Sequence, residues 1–145
     1  MTGVATHSVS CAEEGGNLKM TGHCPFCTPD PIIAENELAY VQHDSYPVSP
    51  GHLLVITFRH VADYFETTEE ERTAILKLIQ EARDYLLRAH SPDGFNIGVN
   101  CGSAAGQSVP HVHFHVIPRY QGDMEDPRGG VRGVIPSKQK YHRSK

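Results

Sequence analysis

The sequence lacks the features that mark membrane proteins and general nucleic-acid-binding proteins. Its longest apolar run is LLVITF (53–58), far shorter than the roughly 20 residues needed to cross a bilayer. Its 13 basic side chains are outnumbered by 17 acidic ones, so there is no basic excess for binding the phosphates of a nucleic acid. Any anionic substrate must therefore be held by local groups rather than by the overall charge.

Cysteine is also scarce. Two of the four cysteines form the pair Cys24-Pro25-Phe26-Cys27, and Cys11 and Cys101 have no neighbour at a meaningful spacing. This arrangement does not predict the disulfide framework of a secreted mini-protein. The N-terminus has no basic region followed by an apolar core, as a secretion signal has. We therefore expect a cytoplasmic protein.

What is present fits one ordinary globular domain. The 145 residues are 39% hydrophobic and 21% charged, which is typical of a folded domain with a real core. Residues 1–22 are rich in Gly, Ser and Thr without periodicity and predict a flexible extension. Residues 23–122 carry the periodic segments of the domain, and residues 123–145 predict an extended C-terminal arm dense in Pro and Gly.

Strand and helix patterns alternate through the domain. A helix is predicted from Thr67 or Thr68, because Thr68 and Glu71 form a capping box, to HSPDG (90–94), and VADYFE (61–66) predicts a short helical segment. Such an order predicts an α+β fold, an antiparallel sheet with a helix on one face. The predicted strands are ELAYVQH (37–43), HLLVITFR (52–59), FNIGVN (95–100) and HVHFHVIP (111–118).

Three histidines occupy alternate positions in the last predicted strand. Successive side chains of a strand point to opposite faces, so His111, His113 and His115 share an open face while Val112 and Phe114 face the core. Three interpretations are open: a solvated face, a zinc site built on the histidines, or an imidazole that attacks phosphorus as a nucleophile.

The loop before this strand favours phosphate chemistry. GSAAGQS (102–108) places Gly106, Gln107 and Ser108 next to the histidines. Small residues let backbone amides approach phosphate oxygens, and the Gln and Ser side chains add neutral donors. A glycine-rich loop alone is weak evidence, but beside three aligned histidines it indicates a phosphate site.

The stretch AGQSVPHVHFHVIPR (105–119) resembles the signature of the histidine triad (HIT) superfamily, in which histidines alternate with apolar residues. CPFC (24–27), PVSPGHLLVITFRH (47–60) and NIGVNCG (96–102) add weaker similarity, so the resemblance covers about residues 23–120. It implies a HIT-like fold, with an antiparallel sheet of about five strands, one long helix and one short helix. It also implies a homodimer joined through a continuous sheet.

The resemblance further implies transfer or hydrolysis of a nucleoside monophosphate through a nucleotidyl-histidine intermediate. His113 matches the nucleophile, and His115 matches the residue that contacts the phosphoryl group and the departing oxygen. Gln107 and Ser108 match polar groups near the scissile bond.

Binding residues follow from the same resemblance. Asp44 matches a ligand of the ribose hydroxyls, although HDSYP (43–47) also favours a simple turn residue there. Asn100 matches a contact to the nucleotide beside the phosphate, and Gly106 lies in the expected phosphate loop. A Mg²⁺ ion could accompany the nucleotide substrate.

The cysteine pair is a redox pair, a metal half-site or a coincidence when taken alone. The resemblance implies a structural zinc site, because related proteins combine such a pair with two histidines. The corresponding ligands here are Cys24, Cys27, His60 and His111, a closed tetrahedral set. His52 and His23 are nearby candidates of lower standing.

The substrate class rests on the end of the chain. PRYQGD (118–123) and DPRGGVRGVIPSKQKY (126–141) resemble the fragile-histidine-triad and prokaryotic dinucleoside polyphosphate hydrolases. We therefore expect hydrolysis of dinucleoside polyphosphates of the diadenosine tetraphosphate type. Open alternatives are a Hint-type hydrolase of adenosine phosphoramidates or aminoacyl-adenylates, a nucleotidyltransferase, a nucleotide-binding sensor with little turnover, and a zinc hydrolase that uses all three histidines as ligands.

Overall fold

A computed structural model describes residues 23–144, so the predicted N-terminal extension (1–22) lies outside the described residues. The long helix follows the third strand along the chain. The strands and the helix are β1 (Ala34–Glu35), β2 (Ala39–His43), β3 (Leu53–Thr57), α1 (Glu69–Ala89), β4 (Gly94–Val99) and β5 (His113–Arg119). Short 3₁₀ segments cover Tyr64–Glu66, Ser103–Ala105, Gly130–Val134 and Pro136–Lys138.

The strands form one five-stranded sheet in the order β1-β2-β3-β5-β4, with every neighbouring pair antiparallel. The predicted α+β fold, with one antiparallel sheet and one long helix, is confirmed. β3 and β5 lie side by side at the centre, where Ile56 pairs with His113 and Leu54 pairs with His115. The two histidines therefore project from the centre of the sheet.

The two faces of the sheet bury two separate clusters of apolar side chains. One face packs against α1 and forms the main core, in which Leu53, Val55, Val116, Leu78 and Leu86 are fully buried. On the other face Tyr40, Leu54 and Ile56 form a smaller cluster, against which Phe26 and Phe58 pack. Because successive side chains of β5 point to opposite faces of the sheet, Val116 lies on the helix face and His113 and His115 lie on the opposite face.

The start of α1 is fixed by hydrogen bonds that the sequence predicts. The Thr68 hydroxyl accepts from the Glu71 amide (3.1 Å), and the Glu71 carboxylate accepts from the Thr68 amide (2.9 Å). Arg59 also donates to Glu71 (2.7 Å). Burial alone raises the pKa of Glu71, but the hydrogen bonds from Arg59 and Thr68 outweigh it and lower this pKa overall.

Two predictions differ from the structure in ways that affect the site or the arm. β5 begins at His113 rather than at residue 111, because the chain is still turning there: the amide of His111 donates to the Val109 carbonyl (2.8 Å). The C-terminal arm is not simply extended, since it contains two 3₁₀ segments held by contacts such as the bond from Arg132 to the Lys138 carbonyl (2.8 Å). Within residues 23–144, no helix has the length and apolarity needed to span a membrane.

Replacing Thr68 by Ala should reduce the free energy of unfolding by about 1 kcal/mol, because the substitution leaves a helix N-terminal amide without its side-chain acceptor. Denaturant unfolding followed by circular dichroism measures this change. Thr73→Ala is the matched control, since Thr73 is exposed inside α1 and Ala is the better helix former. Equal destabilisation by the two variants would contradict the capping assignment.

Candidate active site and metal-binding cluster

His111 is set apart from the other two histidines of the triad. It is fully buried (0% exposed), so the expectation that all three rings line an open face is wrong. Its Nε2 lies 2.7 Å from the Thr57 carbonyl oxygen, which can only accept, so Nε2 carries the proton and donates. The unprotonated Nδ1 then faces the cysteine pair.

Four predicted ligands meet around this nitrogen. The Nδ1 atom of His111 lies 3.5 Å from Cys24 Sγ and 3.7 Å from Cys27 Sγ, and Cys27 Sγ lies 3.2 Å from His60 Nδ1. One ligand atom from each of the four residues lies within 4.8 Å of all the others. With Zn–S near 2.3 Å and Zn–N near 2.0–2.1 Å, a tetrahedral site needs S···N separations of about 3.6 Å. The cluster therefore fits a closed zinc site and could hold a metal ion.

The protonation state of the cluster also suits a metal. Burial lowers the pKa of His111 to about 4, and the neighbouring rings of His60 and His113 lower it further, against the raising effect of the Thr57 hydrogen bond. A neutral imidazole is the form that ligates metal. The two cysteines ligate metal as thiolates, which requires reduced sulfur.

His113 is held in the tautomer that a nucleophile requires. Its Nδ1 lies 2.8 Å from the backbone carbonyl oxygen of His111, so Nδ1 carries the proton and Nε2 keeps its lone pair. Phe26 packs over the ring at a centroid distance of 4.9 Å, and the residue is only 7% exposed. The cysteine-pair segment thus covers His113 as well as supplying candidate ligands.

His115 belongs to a second polar group with His52 and Asp44. Its Nδ1 lies 2.9 Å from His52 Nε2, and Asp44 Oδ2 lies 3.4 Å from the same His52 atom. Burial lowers the pKa of His115 to about 4, and the neighbouring rings of His113 and His52 lower it further. Asp44 raises this pKa, but its effect is smaller. His115 is therefore neutral at physiological pH.

Asp44 acts as a turn residue, and its carboxylate also lies beside two histidines. One carboxylate oxygen accepts from the Tyr46 amide (2.8 Å), as a turn residue does. The other oxygen faces His52 and lies 3.8 Å from His115 Nδ1. The turn thus holds a carboxylate beside the histidines.

The glycine-rich loop is shaped by its own hydrogen bonds. The Gln107 side chain accepts from the Gly102 amide (2.8 Å) and donates to the Ala62 carbonyl (2.6 Å), so in this structure it holds the loop in place. Gly106 has φ of 89°, which a side chain rarely tolerates. Ser108 is exposed at the end of the loop. Asn100 lies one residue beyond β4.

A cavity of about 340 Å³ lies on the same face, beyond His115 along β5. The guanidinium of Arg119 donates to Asp123 (2.8 Å) and to Asn96 (2.7 Å), so its charge is already paired. The cavity is lined by Val48, Ser49, Asn96, Ile117, Arg119, Asp123 and Met124.

Comparison with known proteins agrees with this geometry. The family model for the HIT domain matches residues 27–122. The chain belongs to the HIT family. Among solved structures, it is similar to a Zn-bound histidine triad family protein from Mycobacterium smegmatis, with a TM-score of 0.65 and 34% identity over 71% of this chain and 79% of that chain.

Two relatives of this HIT protein carry the names of enzymes that act on dinucleoside polyphosphates. AP-4-A phosphorylase from Mycobacterium tuberculosis is 37% identical over 93 residues, which cover 63% of this chain and 48% of that protein. The asymmetrical bis(5'-nucleosyl)-tetraphosphatase from Schizosaccharomyces pombe is 38% identical over 80 residues, covering 55% of this chain and 44% of that protein. The chain thus spans about half the length of either enzyme.

Sequence reasoning undervalued His52. It is 2% exposed, directly precedes β3, and contacts both Asp44 and His115. It lies two residues before Leu54, the residue that pairs with His115, which places it near the same end of the sheet. The pairing of β3 with β5 could not be known from the pattern alone.

Zinc content tests the metal cluster. Protein purified under reducing conditions should carry about one zinc per chain, and Cys24→Ser should lose it, because a hydroxyl is a poor zinc ligand. At free zinc 100 times above the dissociation constant, the bound metal adds about 2.7 kcal/mol to the free energy of unfolding. Elemental analysis and thermal unfolding with and without chelator measure both effects.

Cys101→Ser is the matched control, because Cys101 is a free, half-buried thiol outside the cluster. Cys24 is a cleaner target than His111, whose removal also opens a cavity at a fully buried site. Full zinc content in Cys24→Ser would remove Cys24 from the ligand set.

Proposed function

We propose that this HIT protein cleaves dinucleoside polyphosphates such as diadenosine tetraphosphate through a covalent nucleotidyl intermediate on His113. The observation that carries the proposal is the hydrogen bond from His113 Nδ1 to the His111 carbonyl (2.8 Å), which leaves Nε2 as a fixed nucleophile. The names of the two dinucleotide-cleaving relatives support the substrate class.

The reaction has two steps on the same ring. In the first, Nε2 of His113 attacks the phosphorus next to one adenosine, a P–N bond forms, and the bridging P–O bond breaks with its electron pair on the departing ATP. The His111 carbonyl accepts the Nδ1 proton of His113 as a hydrogen bond, and this contact stabilises the positive charge that the ring gains. In the second step water attacks the same phosphorus and loses a proton to solvent, the P–N bond breaks with its electron pair returning to Nε2 of His113, and AMP leaves.

The remaining site residues have proposed roles in binding and orientation. His115 donates a hydrogen bond to the departing oxygen, and Ser108 donates to the phosphoryl group. Gly106 lets the loop approach the phosphates, and Gln107 holds that loop in shape through its bonds to Gly102 and Ala62. Asp44 accepts from the ribose hydroxyls. Asn100 contacts the nucleotide next to the phosphate, and Mg²⁺ enters bound to the polyphosphate.

The cavity beyond His115 supports a substrate with two nucleosides. Its volume of about 340 Å³ lies within the usual range for small-molecule sites, and it shares a face with the proposed nucleophile. A departing nucleotide can occupy it while the other half of the substrate lies at His113.

The metal cluster has a proposed structural role. Zinc held by Cys24, Cys27, His60 and His111 is closed and leaves no position for a reacting water. His111 is both a ligand and the residue whose carbonyl orients His113. A rigid His111 therefore keeps the nucleophile aligned.

The proposal also covers the cellular location, the domain bounds and the oligomeric state of the protein. Two thiolate ligands need reducing conditions, which favours the cytoplasm. We infer a HIT domain over residues 23–122, an arm from residue 123 onward, and a homodimer. The cations of the arm are partly neutralised within it, since Asp126 pairs with Arg128 (2.8 Å) and Lys140 (3.3 Å), which argues against a large role in binding polyphosphate.

His113→Ala should lower turnover of diadenosine tetraphosphate at least about 10³-fold, because loss of a nucleophile removes the covalent route. The fold should persist, since the ring faces the site and not the main core. Chromatography of the products measures turnover, and acid quenching with labelled substrate traps the nucleotidyl-protein. His43→Ala is the control, an exposed histidine at the end of β2. Turnover by His113→Ala near the wild-type rate would remove the nucleophile assignment.

The same assay distinguishes the two substrate classes and shows whether water or phosphate accepts the nucleotidyl group. Rates for diadenosine tetraphosphate well above those for an adenosine phosphoramidate are expected, and the opposite preference would indicate a Hint-type enzyme. Addition of inorganic phosphate separates hydrolysis from phosphorolysis, because phosphate as acceptor yields ADP in place of AMP. Failure to cleave either substrate would leave a nucleotide binder.

A further inference from the structure

Gln42 is a buried polar side chain that has no part in the proposed mechanism. It is 4% exposed and lies in β2, two residues before Asp44, the proposed ribose ligand. Alternate residues of a strand share a face, and Tyr40 belongs to the apolar cluster on the face opposite α1. Gln42 therefore lies on the face of the sheet that carries His113 and His115.

A backbone amide fixes the orientation of the Gln42 side chain. The Asp30 N–H donates to Gln42 Oε1 (3.1 Å), and only the oxygen end of a carboxamide accepts a hydrogen bond in this way. The oxygen therefore lies towards Asp30, and the NH₂ group lies away from it. The end of Gln42 that is open to a ligand is thus a hydrogen-bond donor.

The amide nitrogen of Gln42 has no hydrogen-bond partner within residues 23–144. In the same part of the chain, every enclosed side-chain nitrogen or oxygen of a residue that is not exposed has a partner. Nε2 must therefore lie where this buried residue reaches the surface. A nearly buried donor without an acceptor is unfavourable, and a ligand that supplies the acceptor removes that cost.

The segment of residues 24–30 connects Gln42 with the proposed nucleophile. The ring of Phe26 packs over His113 at a centroid distance of 4.9 Å. The hydroxyl of Tyr40 donates to the Phe26 carbonyl (2.6 Å), and the end of the segment binds Gln42. The segment therefore borders the space between Gln42 and the nucleophile.

Gln42 and His115 lie in one row across the sheet. Gln42 pairs with Leu54 on β3, and Leu54 pairs with His115 on β5. Neighbouring strands are about 4.8 Å apart, so the row spans about 10 Å, and Asp44 lies about 7 Å from Gln42 along the chain. A nucleotide with its phosphorus at the histidines and its ribose on Asp44 carries its base on the far side of the ribose. The base then lies at β2, within reach of the Gln42 amide.

We propose that Gln42 is a specificity-determining residue whose Nε2–H donates a hydrogen bond to a ring nitrogen of the purine base of the substrate. This inference rests on the proposed function for the position of the nucleotide. Adenine offers lone pairs on ring nitrogens such as N3 and N7, whereas its 6-amino group donates. A donor on the protein therefore recognises a ring nitrogen and not the amino group. The Asp30 backbone amide holds the NH₂ group in the orientation that this contact needs.

The direct test compares AMP with its 1-deaza, 3-deaza and 7-deaza analogues, each of which has a carbon in place of one ring nitrogen. Wild-type protein should bind one of the three about 10-fold more weakly than AMP in titration calorimetry, because the missing nitrogen leaves the Gln42 donor without its acceptor. Gln42→Leu should bind AMP about 10-fold more weakly than wild type, and it should not distinguish that analogue from AMP.

Gln42→Glu separates the donor from the contact with Asp30. One carboxylate oxygen still accepts from the Asp30 N–H, but the other oxygen now presents an acceptor to the base. This variant should therefore bind AMP at least as weakly as Gln42→Leu does. Gln80→Glu is the matched control, because it makes the same change at an exposed position of α1 and should leave AMP binding unchanged.

Kinetics distinguish a contact with the base from a distortion of the site. The hydrogen bond to the base is the same before and during cleavage of the P–O bond. Gln42→Leu should therefore raise KM for diadenosine tetraphosphate about 10-fold and change kcat by less than about threefold. A fall in kcat with an unchanged KM overturns the proposal.

The binding data contain their own contradicting outcomes. Equal affinity of wild-type protein for AMP and all three analogues overturns the proposal even if Gln42→Leu does not fold, and so does wild-type affinity for AMP in Gln42→Glu. AMP binding does not require turnover, so the two proposals fail separately. Discrimination through Gln42 without cleavage of diadenosine tetraphosphate supports this inference and overturns the proposed function, whereas cleavage through His113 without discrimination does the reverse.

Discussion

The hydrogen bond between the ring of His113 and the backbone carbonyl of His111 is the contact on which the site depends. It spans 2.8 Å and fixes which nitrogen of His113 carries the proton. The acceptor is the backbone carbonyl oxygen of His111, two residues before His113. The hydrogen bond therefore depends on the turned backbone conformation at residue 111. That turn is imposed by tertiary contacts: the His111 ring donates to the Thr57 carbonyl (2.7 Å) and is fully buried.

The same constraint applies to His52, His111, His113 and His115. Each has one ring nitrogen engaged by a group whose role is fixed: a carbonyl for His111 and His113, a backbone amide for His52, and the His52 ring for His115. Backbone groups cannot exchange donor and acceptor roles. Four chemically identical side chains can therefore differ in which nitrogen is available, and the segment from His111 to His115 can combine a candidate metal ligand, a candidate nucleophile and a hydrogen-bond donor.

The sheet keeps these contacts in register. β3 and β5 occupy its centre, and their pairing places Leu54 opposite His115 and Ile56 opposite His113. α1 buries the helix face of both strands through residues such as Leu78 and Leu86. A shift of one residue in β5 would send the histidines into that core, so the apolar packing on one face enforces the polar arrangement on the other.

Local patterns in the sequence determined the elements that depend on neighbouring residues. The capping box of Thr68 and Glu71 marked the start of α1, and the alternation through Val112, Phe114 and Val116 assigned the two faces of β5, because helix caps and strand faces follow from positions a few residues apart. The triad spacing and the cysteine pair also pointed to the family and to the cluster.

Only the tertiary structure decided the features that join distant segments. It buried His111 against Thr57, brought Cys24 within 3.5 Å of a ring 87 positions away, and set His52 against His115. Tautomers and ligand geometry depend on such contacts, and no local pattern encodes them.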